Sequence, residues 1–322
     1  MTRQLEDVLA ARIRIKPFIH KTPIFSSQTL NRQLGCEVFL KAENLQKTGS
    51  FKARGVSNFL ATREAIADEI TTYSSGNHAQ ATSWAAARHQ RRATVFMPED
   101  ASPAKVAAVK HYGGEVQFAG LTTQDRHDAC HAYAERTGAQ IVPPYDHEAI
   151  IAGQGTVSLE ILEELPQFDA LLLPTGGGGL CAGNAFTIRS LRQTTRVYAC
   201  EPTTADDARQ SLESGTLTAI NFSATIADGT RALCLGDRNW ALIQQHVAGG
   251  LVADDPTIIE AMRDLARYLK LIVEPSGALA LACLAANREQ FAGQKVVVVL
   301  SGGNINMDTY STLTAGEYAG SA

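Results

Sequence analysis

The chain has 322 residues, of which 45% are hydrophobic and 19% are charged, and its formal net charge is −4. A chain with this apolar content can bury a large core, which excludes disorder as a description of the whole molecule. The small negative charge offers no broad basic surface for nucleic acid or anionic lipid, so a small molecule is the expected partner.

The N-terminal residues 1–20 are charged throughout and lack the apolar stretch of a signal peptide. No segment approaches the roughly 18 uninterrupted apolar residues that are needed to span a membrane. The six cysteines stand singly, with no CxxC pair and no histidine at metal-ligand spacing. We therefore expect a cytoplasmic protein whose cysteines are reduced and mostly buried.

Predicted strands and helices alternate along the chain. Short β-branched and apolar runs are typical of buried strands, and alanine-rich stretches between them have helical periodicity. The strands are predicted at 93–97, 139–142, 170–173, 196–199 and 295–300, and the helices at 77–89, 158–165 and 277–287. This alternation predicts an α/β fold with mainly parallel sheets covered by helices. No linker or repeat divides the chain, so a second domain would be an insertion.

Lys52 lies in the segment TGSFKARG at 48–55, where small and polar residues surround one lysine next to the ring of Phe51. A lysine inside a cofactor pocket can lose its proton by desolvation and form a Schiff base. Most lysines are solvated surface charges, so this segment alone does not indicate a Schiff-base lysine. The segments described below are needed to support that role for Lys52.

Three glycine-containing segments, 74–78, 176–179 and 301–304, follow apolar strands or turns. The second is the most informative, because a predicted strand runs into four glycines and then into an apolar helix start. Such a loop directs backbone N–H groups and the positive end of a helix dipole at a phosphate. A plain turn does not require four glycines, whose ordering costs entropy. The tetraglycine loop consists of Gly176, Gly177, Gly178 and Gly179.

The same loop also fits the spacing of a dinucleotide fingerprint. Gly177, Gly179 and Ala182 match it, and Glu201 follows about twenty residues later, at the end of the next predicted strand. Against NAD stands the position of the loop, deep in the chain instead of at the start of a βαβ domain. The loop therefore indicates a phosphate-binding site but does not identify the ligand that carries the phosphate. An NAD-dependent oxidoreductase is the alternative from a different class.

Six motifs in one order resemble the fold-type II pyridoxal-5′-phosphate (PLP) dehydratases. They are SFKARG around Lys52, SSGNHAQ at 74–80, AGQGT at 152–156, the tetraglycine loop, EPSGA at 274–278 and SGGN at 301–304. The resemblance implies an α/β fold like that of the tryptophan synthase β subunit, with two open, twisted, mostly parallel sheets covered by helices. It also implies a large PLP-binding domain from 1–68 and 147–322, with a small mobile domain at 69–146 between them.

The resemblance assigns roles around the cofactor. It implies that Lys52 holds PLP covalently, that Phe51 packs against the pyridine ring, and that Asn77 bonds the ring hydroxyl. The tetraglycine loop would hold the phosphate, and Ser301 would face the pyridine nitrogen. A hydroxyl does not protonate the ring as a carboxylate does, so the cofactor would be a weaker electron sink that favours β-elimination over transamination.

The resemblance also assigns the substrate loop, which consists of Ser74, Ser75, Gly76, Asn77 and His78. This loop would bind the substrate carboxylate, and a helix N-cap is a compatible alternative because helix starts bind anions. The freed Lys52 amine would take the Cα proton, and loss of the β-hydroxyl would give a keto acid and ammonia. Ser75 matches the serine that serves the opposite face of the substrate in racemases of this family, so racemase activity stays open.

The segment EPTTADD at 201–207 resembles the divalent-cation loop of serine racemase and hydroxyaspartate dehydratases. The implied ligands are the Glu201 and Asp207 carboxylates and the Ala205 carbonyl. Oxygen ligands of this kind suit Mg²⁺, Ca²⁺ or Mn²⁺. Acidic residues on a solvated loop are the alternative.

Substrate choice and regulation rest on fewer residues. Arg126 matches a position near the distal carboxylate of dicarboxylate ligands, where it would form a bidentate pair, although an exposed helix residue is the alternative. Threonine, serine and 3-hydroxyaspartate all stay open as substrates. The resemblance further implies a homodimer and a nucleotide effector. Its matching positions are Lys47, Thr48, Gln80, Tyr112, Lys270 and Asn304.

Overall fold

A computed structural model describes residues 3–63, 65–74, 76–101, 103–192, 194–221 and 224–316. The helices in these ranges are α1 (Arg3–Ile15), α2 (Gln28–Leu34), α3 (Lys52–Ala61), α4 (Asn77–Arg88), α5 (Pro103–His111), α6 (Thr123–Thr137), α7 (Glu148–Glu164), α8 (Gly179–Leu191), α9 (Asp207–Ser214), α10 (Asp237–His246), α11 (Asp255–Asp264), α12 (Pro275–Ala286) and α13 (Met307–Thr314). The strands are β1 (Ile24–Phe25), β2 (Glu37–Ala42), β3 (Glu69–Tyr73), β4 (Arg92–Met97), β5 (Gly114–Phe118), β6 (Gln140–Ile141), β7 (Ala170–Pro174), β8 (Arg196–Pro202), β9 (Gly249–Ala253) and β10 (Lys295–Leu300).

The strands form two sheets. The larger has the order β1-β2-β10-β7-β8-β9, and the smaller has the order β5-β4-β3-β6. The short strand β1 pairs antiparallel with β2, whereas the other pairs in both sheets are parallel. The predicted α/β fold with mainly parallel sheets is therefore confirmed.

The valine run of β10 explains why this strand is central. Because side chains alternate across a strand, Val297 and Val299 pack into the cluster formed with α7 and α8. Val296, Val298 and Leu300 point the other way, into the cluster that includes α12. A strand that is buried on both faces reads as an unbroken apolar run, which is how the sequence presents it.

The long helix α7 begins ten residues before the start predicted at 158–165. The prediction missed this half because it contains the helix-weakening glycines of AGQGT. Their purpose is close packing: a Cβ on Gly153 would lie 2.7 Å from the Cα of Gly55 in α3, and one on Gly155 would lie 2.8 Å from the carbonyl oxygen of Gly183 in α8. The three helices therefore touch backbone to backbone.

The cysteines follow the expectation, since all six are free and five of them are buried. Within the described ranges, no helix combines the length and the apolar character needed to cross a lipid bilayer.

Gly153→Ala is expected to lower the free energy of unfolding by about 1–3 kcal/mol, the usual cost of overpacking. The loss should appear although alanine favours a helix over glycine by about 1 kcal/mol. Gly249→Ala is the matched control, because an added Cβ there meets nothing closer than 4.0 Å. Urea unfolding of both variants measures the difference, and equal midpoints would contradict the backbone contact.

Candidate active site

Lys52 is the first residue of α3, and its amine is turned into the protein. Its Nζ donates a hydrogen bond to the Pro144 carbonyl oxygen at 2.7 Å. Burial lowers the pKa of Lys52 to about 8. Roughly a tenth of this amine is therefore neutral at pH 7, far more than for a lysine with the ordinary pKa of about 10.4, and the neutral form is the nucleophile and general base.

The start of α3 is joined to the end of β10. The Phe51 N–H donates to the Ser301 carbonyl oxygen at 3.1 Å, and the Ser301 hydroxyl donates to the Ser276 carbonyl oxygen at 3.2 Å. The Phe51 ring centroid lies 5.3 Å from Lys52 Nζ. Phe51, Lys52 and Ser301, which the sequence placed in one site, are thus neighbours.

Next to Pro144 lies a cavity of about 250 Å³ between the end of β3, the connection that precedes α7 and the start of α10. It is lined by Tyr73, Pro143, Pro144, Tyr145, Asp146, Leu235, Gly236 and Asp237. Burial, assisted by the nearby Tyr145, raises the pKa of Tyr73 to about 12. Burial and the adjacent Asp146 also raise the pKa of Tyr145. Both phenols are therefore neutral hydrogen-bond donors at physiological pH.

His78 is buried in the first turn of α4, with Nε2 3.1 Å from the Val142 carbonyl oxygen. Burial, and then the charge of Lys52, lowers the pKa of His78 to about 3. The imidazole is therefore neutral, and Nε2 carries the proton that is donated to Val142. Its Nδ1 is buried and finds no hydrogen-bond partner among the described residues.

Asn77 begins α4, and its amide is fixed at both ends. Nδ2 donates to Glu274 Oε1 at 2.5 Å, and Oδ1 accepts from Asn304 Nδ2 at 2.7 Å. Glu274 is buried, and this burial, together with the nearby Asp228, raises its pKa to about 8. Glu274 is therefore mostly protonated at neutral pH, so Asn77 is held by a neutral acid instead of a carboxylate.

The tetraglycine loop joins β7 to α8, as predicted. Gly178 has a φ of +92°, a conformation that favours glycine, and no side chain caps the N–H groups at the start of α8. A Cβ on Gly177 would lie 2.5 Å from the ring of Tyr145, and one on Gly176 would lie 3.0 Å from the Cα of Thr230. The loop is thus a bare backbone cradle, and its donors suit a phosphate.

The substrate loop is described except at Ser75, which lies outside the described residues. The Ser74 hydroxyl accepts from the Gly76 N–H at 3.3 Å, and among the described residues none beyond the chain neighbours comes within 4 Å of the position of a Cβ on Gly76. The loop therefore offers open space directly before α4, close to the buried His78. Its role in binding a substrate carboxylate stays a prediction.

Arg126 is half-buried in the first turn of α6. Its guanidinium donates to the Leu121 carbonyl oxygen at 3.2 Å and to the Thr123 hydroxyl at 3.0 Å. Arg126 therefore bonds to the start of its own helix in this structure. Its predicted contact with a distal substrate carboxylate stays a prediction.

The predicted metal ligands lie at the end of β8 and the start of α9. Glu201 is fully buried and accepts from the N–H groups of Ala208 at 2.9 Å and Arg209 at 2.7 Å. Asp207 is also fully buried, and neither of its carboxylate oxygens has a partner among the described residues. An unpartnered buried carboxylate suits a cation, which would compensate its charge.

Two further findings bear on this segment. The residues that the structure describes contain no group of three His, Cys, Asp or Glu side chains that could hold a metal, so a cation there would need the Ala205 carbonyl and water as well. Glu201 caps α9 and is not exposed, which is unlike the open ribose ligand that the dinucleotide fingerprint requires.

Sequence reasoning left Glu274 and Tyr145 without individual roles. The sequence analysis named Glu274 only as part of the EPSGA motif. Its position at the start of an apolar helix could have indicated a buried acid. Tyr145 covers the tetraglycine loop from a distant segment, which no local pattern indicates. Asn77 bonds to Glu274, and Lys52 bonds to the carbonyl oxygen of Pro144, the neighbour of Tyr145.

The fold and the site together define a class of protein, an α/β enzyme with a desolvated lysine near an uncapped glycine loop. Residues 15–302 match the family model for pyridoxal-phosphate-dependent enzymes. The chain is therefore a member of the fold-type II pyridoxal-phosphate-dependent enzyme family.

Relatives with known names support this membership over nearly the whole chain. The chain is 40% identical to L-threo-3-hydroxyaspartate ammonia-lyase of Saccharomyces cerevisiae over 98% of this chain and 97% of that protein. It is 39% identical to serine racemase of Schizosaccharomyces pombe over 95% of each chain. The solved structure of maize serine racemase superposes with a TM-score of 0.92 at 36% identity, covering 96% of this chain and 95% of that one.

Glu274→Gln is expected to reduce the loss of stability that the wild type suffers as pH rises, while the raised pKa values of the buried Glu201 and Asp207 contribute to that loss in both proteins. Because Glu274 has a pKa of about 8 in the folded protein and about 4.3 when unfolded, the folded state binds the extra proton between these values. Wild-type stability should therefore fall from pH 5 to pH 8, by up to about 1.4 kcal/mol per pH unit. Urea unfolding at pH 5, 7 and 9 compares the two proteins, and parallel pH profiles would show that Glu274 is already ionised.

Proposed function

We propose that this protein is a PLP-dependent ammonia-lyase that eliminates water from a β-hydroxy amino acid to give a keto acid and ammonia. The candidate substrates are 3-hydroxyaspartate, threonine and serine. The observation that carries the proposal is the Lys52 amine, desolvated at the Pro144 carbonyl with a pKa of about 8. The 40% identity to the yeast hydroxyaspartate ammonia-lyase supports the reaction class.

In this proposal Lys52 holds the cofactor, Phe51 packs against its ring, and the tetraglycine loop binds its phosphate. Asn77 bonds the ring hydroxyl and Ser301 faces the ring nitrogen. The bare backbone cradle before α8 and the fixed amide of Asn77 fit these assignments. When bound, PLP stabilises negative charge that develops at the substrate Cα.

The residues of the chain divide the remaining work. The loop that contains Ser74, Gly76 and His78 holds the substrate carboxylate with backbone N–H groups, and the neutral Lys52 amine removes the Cα proton. The Ser301 hydroxyl leaves the ring nitrogen without a strong proton donor, which favours loss of the β-hydroxyl as water. The released enamine then hydrolyses to the keto acid and ammonia.

A second candidate activity is amino-acid racemisation. It is favoured by the similarity to serine racemase of Schizosaccharomyces pombe and by the serine at position 75, which would serve the face of the substrate opposite Lys52. The two activities share the proton removal by Lys52 and differ in whether the β-hydroxyl leaves. A dicarboxylate substrate would additionally engage Arg126.

Further features of the enzyme belong to the same proposal. Glu201, Asp207 and the Ala205 carbonyl bind Mg²⁺, Ca²⁺ or Mn²⁺, which the unpartnered oxygens of Asp207 support.

The segment 69–146 moves as a small domain against the rest of a cytoplasmic homodimer. A nucleotide effector would contact the surroundings of Asn304, whose amide donates to the Thr48 carbonyl oxygen at 2.7 Å.

Lys52→Ala is expected to abolish covalent PLP binding and to lower keto-acid formation by at least about 10²-fold, because it removes the general base. The wild type should absorb near ~410 nm and be fixed by borohydride at Lys52, as a lysine-bound cofactor requires. Lys110→Ala, at an exposed position on α5, is the control and should behave as the wild type.

The substrate is found by assaying keto acid and chiral product with L-serine, L-threonine and the 3-hydroxyaspartate isomers. Keto acid from one of them identifies the dehydratase substrate, and the D-enantiomer of serine without keto acid would favour the racemase. Failure of the wild type to bind PLP at Lys52 would refute both the ammonia-lyase and the racemase. NAD binding by the tetraglycine loop would then be the hypothesis to test.

Divalent cations are expected to raise the melting temperature of the wild type, because a ligand that binds only the folded state stabilises it. Asp207→Asn should abolish this rise, since the carboxylate that lacks a protein partner is then gone. Glu213→Gln, an exposed change on the same helix α9, is the control. Thermal unfolding in EDTA and with added Ca²⁺, Mg²⁺ or Mn²⁺ provides the comparison, and a rise of equal size in all three proteins would exclude this site.

A further inference from the structure

Four charged side chains form a cluster that solvent does not reach. Lys41, Glu43 and Arg54 are 0% exposed, and Glu160 is 7% exposed. They come from β2, from the turn that follows β2, from α3 and from α7. Two cations face two carboxylates, so the four-charge cluster is neutral as a whole.

Arg54 is the centre of the four-charge cluster. Its Nε and Nη2 donate to the two carboxylate oxygens of Glu43 at 2.7 and 2.8 Å. Its Nη1 and Nη2 donate to the two oxygens of Glu160 at 2.7 and 2.8 Å. Nη1 also contacts the Thr156 hydroxyl at 3.2 Å. The guanidinium is therefore bidentate toward both carboxylates, the geometry that fixes a side chain most firmly.

Lys41 completes the four-charge cluster from the side of β2. Its Nζ donates to Glu160 Oε2 and to the Thr22 carbonyl oxygen, both at 2.7 Å. Burial alone would raise the pKa of Glu160, yet the bonds from Arg54 and Lys41 outweigh it and lower that pKa. The carboxylate form of Glu160 is thus favoured in the interior, where it accepts from both cations.

Net stability does not explain such an arrangement, because buried ion pairs generally stabilise no more than a well-packed apolar set. What they do specify is geometry. Arg54 is two residues after Lys52, in the first turn of α3, and no side chain of the described residues caps that turn. The turn is held by Arg54 on one side and by the bond from Phe51 to Ser301 on the other.

We propose that Arg54 is a positioning residue for Lys52: its bidentate pairs with Glu43 and Glu160 fix the first turn of α3 and so hold the Lys52 amine at the Pro144 carbonyl. The inference rests on the proposed function, in which Lys52 binds the cofactor and removes the substrate proton. Arg54 acts through the backbone of α3 and touches no reacting atom.

The pKa of Lys52 reports where its amine lies, because burial at Pro144 lowers that pKa. Its surroundings contribute His78 from α4, which is neutral, and the phenols Tyr73 and Tyr145 with Asp146 at the adjoining cavity. Among the described residues, none of these groups is a hydrogen-bond partner of the Arg54 side chain. An amine that drifts away from Pro144 toward solvent regains an ordinary lysine pKa.

The test compares Arg54→Lys with Lys41→Met. The first keeps a positive charge in the four-charge cluster but loses the doubly bidentate geometry on α3. The second disrupts the same cluster from β2 and does not touch α3. Apoprotein is mixed with PLP across a pH series, and the adduct is trapped with borohydride and located by mass spectrometry. The midpoint of the capture rate reports the pKa of Lys52.

In the wild type the midpoint is expected near the Lys52 pKa of about 8. In Arg54→Lys it should rise by about one pH unit, and kcat should fall about 10- to 100-fold as the amine is misplaced. KM should stay within about 3-fold, since uniform substrate binding is untouched. In Lys41→Met the melting temperature should fall, with the midpoint and kcat near the wild-type values.

Equal midpoints and kcat in Arg54→Lys and the wild type, with a lowered melting temperature, would overturn the proposal and leave Arg54 a structural residue. If Arg54→Lys does not fold, Glu43→Gln decides, because it keeps the size of the side chain and replaces one of the two oxygens that accept from Arg54 with an amide NH2 group that cannot accept. A smaller upward shift then supports the proposal, and an unchanged midpoint overturns it. If the wild type captures no PLP at Lys52, the proposed function is contradicted. That outcome is distinct from equal midpoints in the wild type and the variant, which contradict only the role of Arg54.

Discussion

The enclosure of the Arg54 guanidinium by Glu43 and Glu160 is the contact around which this molecule is arranged. It ties the end of β2, the start of α3 and the middle of α7 at one buried point. Two buried carboxylates without that guanidinium would repel each other in a medium that cannot screen them. The placement of α3 follows from this contact, and the direction in which its first residue presents an amine follows from α3.

The site is then assembled from parts that are rigid for different reasons. The larger sheet supplies the ends of β7 and β10, whose apolar runs are buried on both faces and cannot shift register without exposing them. The smaller sheet supplies Tyr73 and the start of α4. Tyr145, in the connection between the two, lies against the tetraglycine loop. Near pH 8 the phenols of Tyr73 and Tyr145 and the imidazole of His78 are neutral, whereas Lys52 and Glu274, each with a pKa of about 8, titrate there.

The sequence carried the local features of this structure well. Valine runs indicated buried strands, and the glycines after β7 indicated a loop that exposes backbone donors. The six ordered motifs indicated the family. The four-charge cluster could not be read in this way, because Glu43 and Glu160 are far apart in the chain and their meeting depends on how α3 crosses α7. The same holds for Asn77 and Glu274, which only the completed fold brings to 2.5 Å.

The backbone contacts of α7 have a mechanical consequence. Where Gly153 meets Gly55 and Gly155 meets Gly183, backbone lies against backbone and leaves no room for a Cβ. A region with little internal void volume loses little volume under pressure. The three-helix seam should therefore be the stiffest part of the molecule under hydrostatic pressure, and volume changes should concentrate in the cleft that Tyr73 and Tyr145 border.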